Sequence, residues 1–380
     1  DKKSGWKIPS QQISARGHVA QTPDRIINQT EIGYKYHSKE HLPSFDYPHK
    51  QVVAFNELTA QKLHKMHDGN YFNRFQSNIK RIFNQTGDKI KIFCPKWRDY
   101  YRTLLKEDEQ LIIGAGAFAG ADIVGLPAHK INATTESIVS HMDKMRELSE
   151  RQGYNLTIAP SFSIRTIANQ LKENINGVYD AGFKIINVDN GGYVASWTQN
   201  YPRYVTLSNL ELEGNYIFGT GVPRRWRVNG ITSQSHLLAI MGQHSLAIEV
   251  QKPFEPNDTR KSNPLQAKLD EIKRLNAEEL GYDTLKEHLR KNGNELVCKS
   301  ECPVCRGSEG LIATYRKSNK AGINPVFNNI HDAYDSLWGM NDLREGIITE
   351  DLSERIKKRV ALQRAVTALF GQGGLNKFFG

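Results

Sequence analysis

The stretch NLTIAPSFSIRTIANQLKENINGVYDAGFKIINVD, residues 155–189, joins two short apolar runs through a longer amphipathic segment. The runs at 155–161 and 183–189 have the length and the β-branched content of buried strands, whereas residues 163–181 have helical spacing. A strand, a helix and a second strand in this order are typical of a right-handed βαβ unit with parallel strands. The stretch therefore predicts a parallel sheet covered by helices.

The same alternation continues on both sides of this unit. Further strand-like runs are KIKIFC (89–94), ADIVGL (121–126), NYIFGTG (215–221) and HSLAIEV (244–250). Segments with helical spacing lie at 134–152 and 231–241. So many strand–helix units favour an α/β fold of the (β/α)8 TIM-barrel type over a doubly wound sheet.

The length of 380 residues suits one large barrel with an appendage. We predict four parts: an irregular N-terminal extension (1–50), the barrel (51–290), a zinc-binding subdomain (291–350) and a C-terminal helix (351–380) that packs on the barrel. Helical stripes are also predicted, the first by Leu265, Leu269, Ile272 and Leu275, the second by Ile330, Tyr334, Leu337 and Met340.

The glycine-rich run GAGAFAG (114–120) precedes a strand and lacks the full spacing of a dinucleotide-binding loop. We interpret it as a tight loop that enters the strand. A nucleotide-dependent oxidoreductase on a doubly wound sheet is the alternative that depends on this run.

The chain is basic, with 51 Lys and Arg against 41 Asp and Glu and a net charge of +10. An excess of positive charge favours a polyanionic partner, because each neutralised phosphate releases a counterion. The sequence has no apolar run of about 18 residues, so we expect no membrane-spanning helix. Three of the four cysteines fall within eight positions, which is metal spacing in a reducing compartment, and we expect a cytoplasmic protein.

A structural zinc site is predicted from Cys298, Cys302, Cys305 and His331. The first two cysteines are separated by three residues and the next two by two, so the cluster can hold one tetrahedral ion. His331 follows at the start of a helical stripe and would complete a Cys₃His set. Such a closed set leaves no position for water, so Zn²⁺ here would be structural.

The segment from Cys298 to Ile347 resembles the zinc-binding C-terminal subdomain of tRNA-guanine transglycosylases and their DNA-modifying relatives. The matching motifs are Tyr315-Arg316-Lys317, Lys320-Ala321-Gly322, Asn324-Pro325, Ile330-His331 and Asp342-Leu343-Arg344-Glu345-Gly346-Ile347. The family usually has one residue between its first two cysteines, and this chain has three. A weaker resemblance covers Ala121-Asp122-Ile123 and Gly219-Thr220-Gly221-Val222-Pro223.

The resemblance implies exchange of guanine for a free 7-deazaguanine base in nucleic acid. A carboxylate attacks C1′, displaces the base and holds the sugar as a covalent glycosyl-enzyme. The acids at predicted strand ends are Asp189 and Glu249, and either could be this nucleophile. The predicted base-binding residues are Gly191, Gly192, His129, Gly219 and Gly221.

The predicted contacts to nucleic acid are Arg224, Arg225, Arg227, Arg316, Lys317 and Lys320. The family's early Asp-Ser-Gly-Gly-Phe-Gln segment is not found, which favours DNA over tRNA as the substrate. The same absence leaves open a non-catalytic nucleic-acid-binding subunit of this fold. A partner protein and a homo-oligomer are also left open by the sequence.

Overall fold

The computed structural model describes residues 12–15, 17–37, 47–55, 57–97, 105–126, 133–191, 197–208, 210, 214–223, 234–248, 273–276, 278–293 and 323–370. The strands are β1 (Gln12–Ala15), β2 (His18–Gln21), β3 (Asp24–Asn28), β4 (Gln51–Ala54), β5 (Glu57–Leu58), β6 (Ile90–Phe93), β7 (Lys96–Trp97), β8 (Ile123–Gly125), β9 (Thr157–Ala159), β10 (Ser161–Ser163), β11 (Ile185–Asp189), β12 (Tyr216–Val222), β13 (Ser245–Ile248), β14 (Lys273–Asn276) and β15 (Gly281–Thr284). The helices are α1 (Gln29–His37), α2 (Ala60–Met66), α3 (Gly69–Asn84), α4 (Lys106–Ala119), α5 (Thr135–Arg151), α6 (Ala168–Asp180), α7 (Trp197–Ser208), α8 (Gln234–Ile240), α9 (Leu285–Lys291), α10 (Ile323–Ile348), α11 (Leu352–Lys357) and α12 (Val360–Phe370).

The main sheet of the described chain is parallel throughout and forms a nearly closed barrel surrounded by helices. Its segments pair in the order β10-β11-β12-β13-β3-β4-β6-β8-β9. Only Pro160 separates β9 from β10, and this stretch bonds to both neighbours: the Leu126 N–H donates to Ala159 O at 3.0 Å, and the Asn187 N–H donates to Pro160 O at 2.9 Å. The two ends of the order thus belong to one interrupted strand. The predicted α/β fold is confirmed as a barrel-like parallel sheet of the TIM type.

The barrel strands are buried on both faces, which is why they stand out as apolar runs in the sequence. One cluster is built from alternate residues of several strands and fills the barrel interior; among its members are Ile26, Val53, Ile92, Ile123 and Phe218. The intervening residues pack outward against the helices; among these are Ile27, Val52, Val124, Val188 and Ile217. Side chains that continue the inner rows past the strand ends therefore meet at the barrel mouth.

The predicted irregular extension over residues 1–50 is wrong for the strands that it contains. β3 pairs with β13 and with β4, so the barrel includes Asp24–Asn28 and does not begin at residue 51. The sequence DRIIN hides this strand because three of its five residues are polar, although all five are buried. β1 and β2 form an antiparallel hairpin that contributes Ile13 and Ala20 to the inner cluster.

The glycine-rich run 114–120 does not form the predicted loop. Residues 114–119 are the last turns of α4, and Gly120 ends that helix with a left-handed φ of 82°. Gly116 faces β8, where an added Cβ would lie 2.5 Å from Val124 Cγ2. The glycines let the helix approach the barrel closely, and the run offers no phosphate-binding loop to support the oxidoreductase alternative.

The end of the described chain differs from the predicted division into parts. α10 packs against β3, α1 and α8, so residues 323–348 belong to the helical layer of the barrel, although they fall within the predicted zinc subdomain. Leu275 lies in β14, which pairs with β15, so the predicted helical stripe is wrong at its last member. The predicted last helix is two helices, α11 and α12, and α12 contacts α8.

Candidate active site

Asp189 is the last residue of β11 and lies at the carboxyl end of the parallel barrel. It is aligned with Ser163 on one side and with Thr220 on the other. Only 9% of its surface is exposed. Active sites of such barrels form at this end of the strands. Of the two predicted nucleophiles, Asp189 is the one within the described residues.

The carboxylate of Asp189 is held by a backbone turn. The Gly191 N–H donates to Asp189 Oδ1 at 2.9 Å. Gly191 has a φ of +70°, a conformation that a glycine adopts without strain. Burial raises the pKa of Asp189, while Lys96, the Gly191 N–H and Arg165 each oppose this increase. Gly191 therefore binds the carboxylate, and its predicted contact with a base stays a prediction.

A polar layer supports Asp189 from inside the barrel. Asn187 Nδ2 donates to Ser161 Oγ at 3.0 Å and to Cys94 Sγ at 3.3 Å. Thr220 Oγ1 donates to Asn187 Oδ1 at 3.1 Å. Burial raises the pKa of the Cys94 thiol to about 12, so Cys94 is a neutral member of this layer at physiological pH.

A second polar pair fixes the backbone next to Asp189. The Asn190 N–H donates to Thr220 O at 2.8 Å, and Asn190 Nδ2 donates to Gln243 Oε1 at 3.1 Å. Gly219 makes room for this pair, because an added Cβ would lie 2.0 Å from Gln243 Oε1. The side of Gly219 that lacks a Cβ therefore faces Gln243 and Asn190, outside the barrel interior. Close packing explains why this position is a glycine.

Gly221 lies where the pairing of β12 with β13 shifts register between Gly219 and Val222. Its φ is +61°, which suits a bulge at the end of a strand. The bulge accounts for a glycine at this position. Contact of Gly221 with a base stays a prediction.

Two cations near Asp189 were missed by the sequence analysis. Lys96 in β7 is close enough to lower the pKa of Asp189, and Arg165 lies in the turn after β10 with its Nε 4.0 Å from the position of a Cβ on Gly191. The only signal was spacing: Lys96 stands two residues after Cys94, and Arg165 two residues after Ser163. Neither spacing shows which carboxylate lies opposite.

Most other predicted site residues lie outside the described residues, and their roles stay predictions. They are Glu249, Gly192, His129, Arg224, Arg225, Arg227, Arg316, Lys317, Lys320, Cys298, Cys302 and Cys305.

His331 is the predicted zinc ligand that the described residues include. It lies in α10, is 2% exposed, and has its Nε2 2.8 Å from Asp335 Oδ2. This contact meets the distance of an ion pair but not the geometry of a hydrogen bond. The role of His331 as a zinc ligand stays a prediction. Among the described residues alone, no three His, Cys, Asp or Glu side chains form a group that could hold a metal. A complete site would need the three cysteines.

Comparison of the chain with protein-family models and with curated proteins finds no match. None of the described helices is both long and apolar enough to cross a membrane.

Proposed function

We propose that the protein is a transglycosylase that exchanges guanine for a 7-deazaguanine base in nucleic acid, with Asp189 as the nucleophile. The observation that carries the proposal is a buried carboxylate at the carboxyl end of a barrel strand, oriented by a backbone N–H and flanked by two cations. The resemblance around Cys298–Ile347 supplies the reaction class. Glu249 remains the second candidate for the nucleophile.

The proposed reaction has two displacements at C1′ of the target nucleotide. Asp189 Oδ forms a bond to C1′ while the C1′–N9 bond to guanine breaks, and the incoming base then reverses these changes with net retention. The transition state resembles an oxocarbenium ion, which a nearby carboxylate stabilises. Low exposure of Asp189 supports this chemistry, because water would otherwise compete with the incoming base for the glycosyl-enzyme.

DNA is the favoured substrate, and tRNA is the alternative. A base inside a duplex must be flipped out before it can reach a carboxylate in a barrel mouth. The net charge of +10 and the arginines and lysines predicted at 224–227 and 316–320 support binding to the phosphate backbone. Zn²⁺, bound by Cys298, Cys302, Cys305 and His331, would stabilise the segment that carries three of these ligands and would take no part in the reaction.

The test is base exchange on DNA and tRNA oligonucleotides in parallel, with labelled guanine or a 7-deazaguanine as the incoming base. Asp189→Asn should reduce exchange at least about a thousandfold, because the amide cannot form the glycosyl bond. Asp24→Asn is the matched control: Asp24 is also buried, at the amino end of the barrel, and exchange should persist. Mass spectrometry of a trapped adduct on Asp189 would identify the nucleophile directly.

A non-catalytic binding subunit is the second candidate, favoured by the missing Asp-Ser-Gly-Gly-Phe-Gln segment. It predicts binding of nucleic acid with no exchange on either substrate. An adduct on Glu249, or full exchange by Asp189→Asn, would refute the assignment of Asp189.

A further inference from the structure

Lys96 and Asp189 lie at equal distances along the chain from a contact between Cys94 and Asn187, which crosses the interior of the barrel. Asn187 Nδ2 lies 3.3 Å from Cys94 Sγ, so β11 and the end of β6 meet at these two residues. Side chains of an extended strand alternate between faces, so a residue two positions further along returns to the same side. Asp189 stands two residues beyond the contact in β11. Lys96 stands two residues beyond it in β7, which continues the direction of β6, because Glu57 pairs with Lys96 in the same register in which Ala54 pairs with Phe93. Both residues are therefore placed on the inner side of the barrel, one layer nearer the mouth than this contact.

The charges around this pair agree with that placement. Burial lowers the pKa of Lys96, and the nearby Asp189 and Cys94 oppose the decrease. Lys96 and Arg165 in turn oppose the increase in the pKa of Asp189 that burial causes. Cys94 stays neutral at physiological pH. Among the described residues, Arg165 is therefore the further charged group that acts on this pair.

Proton transfer is the part of the proposed reaction that Asp189 cannot perform. Guanine leaves as an anion unless a proton reaches it, and Asp189 is then occupied by the bond to C1′. An ammonium with a lowered pKa gives up its proton more readily near neutral pH than an ordinary lysine does.

We propose that Lys96 is the proton-transfer residue of base exchange, acting first on the guanine that leaves and then on the base that enters. The inference rests on the proposed function. No sequence motif indicates this lysine; the contact between Cys94 and Asn187 and the register that continues from β6 into β7 carry the inference.

The two steps balance without a further reactant. In the first, Asp189 Oδ bonds to C1′, the electron pair of the C1′–N9 bond moves to guanine, and the Lys96 ammonium gives one proton to a ring nitrogen of guanine. In the second, the neutral Lys96 amine takes the N9 proton of the incoming base, whose N9 bonds to C1′ as the bond to Asp189 breaks. Lys96 ends in its starting state.

The experiment uses the full chain, a DNA oligonucleotide with one guanine, and the same oligonucleotide with 7-methylguanine. 7-Methylguanine already carries a positive charge and can leave without a proton. We expect Lys96→Met to release guanine about a hundredfold more slowly than the wild type, and to release 7-methylguanine at nearly the wild-type rate. Release of 7-methylguanine also reports that the variant has folded with a working nucleophile.

Two further variants separate proton transfer from simple charge. Lys96→Arg keeps the positive charge but holds its proton too tightly to donate it, so it should resemble Lys96→Met with guanine. Lys184→Met is the matched control: Lys184 lies immediately before β11, at the opposite end of that strand from Asp189, and both rates should be unchanged.

The outcomes distinguish this inference from the proposed function. If the wild type exchanges guanine and Lys96→Met or Lys96→Arg does so at the wild-type rate, Lys96 does not transfer the proton and the inference is wrong. Equal loss of both bases in Lys96→Met and in a second variant, Lys96→Gln, would also refute it. If the wild type releases neither base from DNA or tRNA, the proposed function itself fails and the role of Lys96 fails with it.

Discussion

At the scale of single residues, Asp189 and Asp24 are both buried carboxylates, but their surroundings differ, and so do the effects of their burial. Asp189 has cations near it and lies at the carboxyl end of the barrel, where active sites of such barrels form. Asp24 lies at the amino end of the barrel, where its Oδ2 accepts a hydrogen bond from Gln51 Nε2 at 2.8 Å. Burial raises the pKa of both groups. The raised pKa of Asp189 affects activity, and the raised pKa of Asp24 affects stability.

The raised pKa of Asp189 predicts how the rate of base exchange falls at acid pH. The carboxylate must be ionised to attack C1′, and its pKa is raised, so exchange should fall at a higher pH than an ordinary aspartate would give. Lys96→Met removes a cation that favours the ionised form, and should move this fall to still higher pH. Initial exchange rates between about pH 4 and 8 measure both. A fall centred near pH 4 in the wild type would contradict the assignment.

The shift at Asp24 predicts how stability depends on pH. Its pKa rises from 3.8 to about 6 on folding, so between these values the folded chain binds more protons than the unfolded chain. The free energy of unfolding should therefore decrease as pH rises from about 4 to about 6, and Asp24 accounts for roughly 3 kcal/mol of that decrease. Urea unfolding at several pH values measures it. In Asp24→Asn this part of the pH dependence should vanish; an unchanged profile would contradict the prediction.

At the scale of elements, the carboxyl ends of β11 and β12 are held together by Asn190 and Gln243, and Gly219 makes their contact possible. An alanine at 219 would place its Cβ 2.0 Å from Gln243 Oε1 and 3.1 Å from Asn190 Nδ2. The strand that ends in Asp189 would then have to move. Packing outside the barrel thus fixes the position of a group inside it.

Gly219→Ala should consequently lower both stability and exchange. Overpacking of this kind costs about 1–3 kcal/mol, and displacement of Asp189 should slow exchange more than the loss of folded protein explains. Thermal unfolding and exchange rates at saturating substrate test this. The control is Gly33→Ala in α1, where an added Cβ has no neighbour within 4 Å and helix propensity should increase stability slightly. Normal activity in Gly219→Ala would show that the contact is not needed.

At the scale of the whole molecule, the barrel depends on parts that are distant in sequence. The first barrel strand, β3, pairs with the last, β13, and α10 covers β3 from beyond that last strand. His331 lies in this helix, so zinc at the predicted site would connect residues 298–305 to the helical layer of the barrel.

The four cysteines give a test of the zinc site that does not require activity. Cys94 is buried and its thiol pKa is raised to about 12, so it should be inert in the folded protein. With zinc bound, a thiol-reactive dye should label few cysteines; after chelation it should label three, and after unfolding all four. Metal analysis should find one zinc per chain. His331→Ala should lose it, and Cys298→Ser should lose less than Cys302→Ser or Cys305→Ser. Three reactive thiols before chelation would exclude the site.

The sequence by itself determined the class of fold and the position of Asp189. Strands buried on both faces are rich in apolar residues, so six of them could be identified, and the end of FKIINVD places an acid at the barrel mouth. β3 could not be found this way, because Asp24, Arg25 and Asn28 are buried polar residues whose partners include Gln51 and the carbonyls of Leu246 and Ile248, which are distant in the chain. The glycine-rich run at 114–120 was predicted as a loop and forms the end of a helix, because its glycines serve close packing against Val124 and Phe93, which glycine content alone does not show.

Only the tertiary structure decided which groups surround Asp189. Lys96 is 93 residues away in the chain, and the Cys94–Asn187 contact that brings β6 and β11 together spans the same separation. Closure of the barrel creates that contact, and no local spacing encodes it. The local sequence pattern shows which side of a strand is buried. Which residue lies across the barrel from Asp189 depends on how all the strands close into a barrel, so the environment of this carboxylate depends on the tertiary structure.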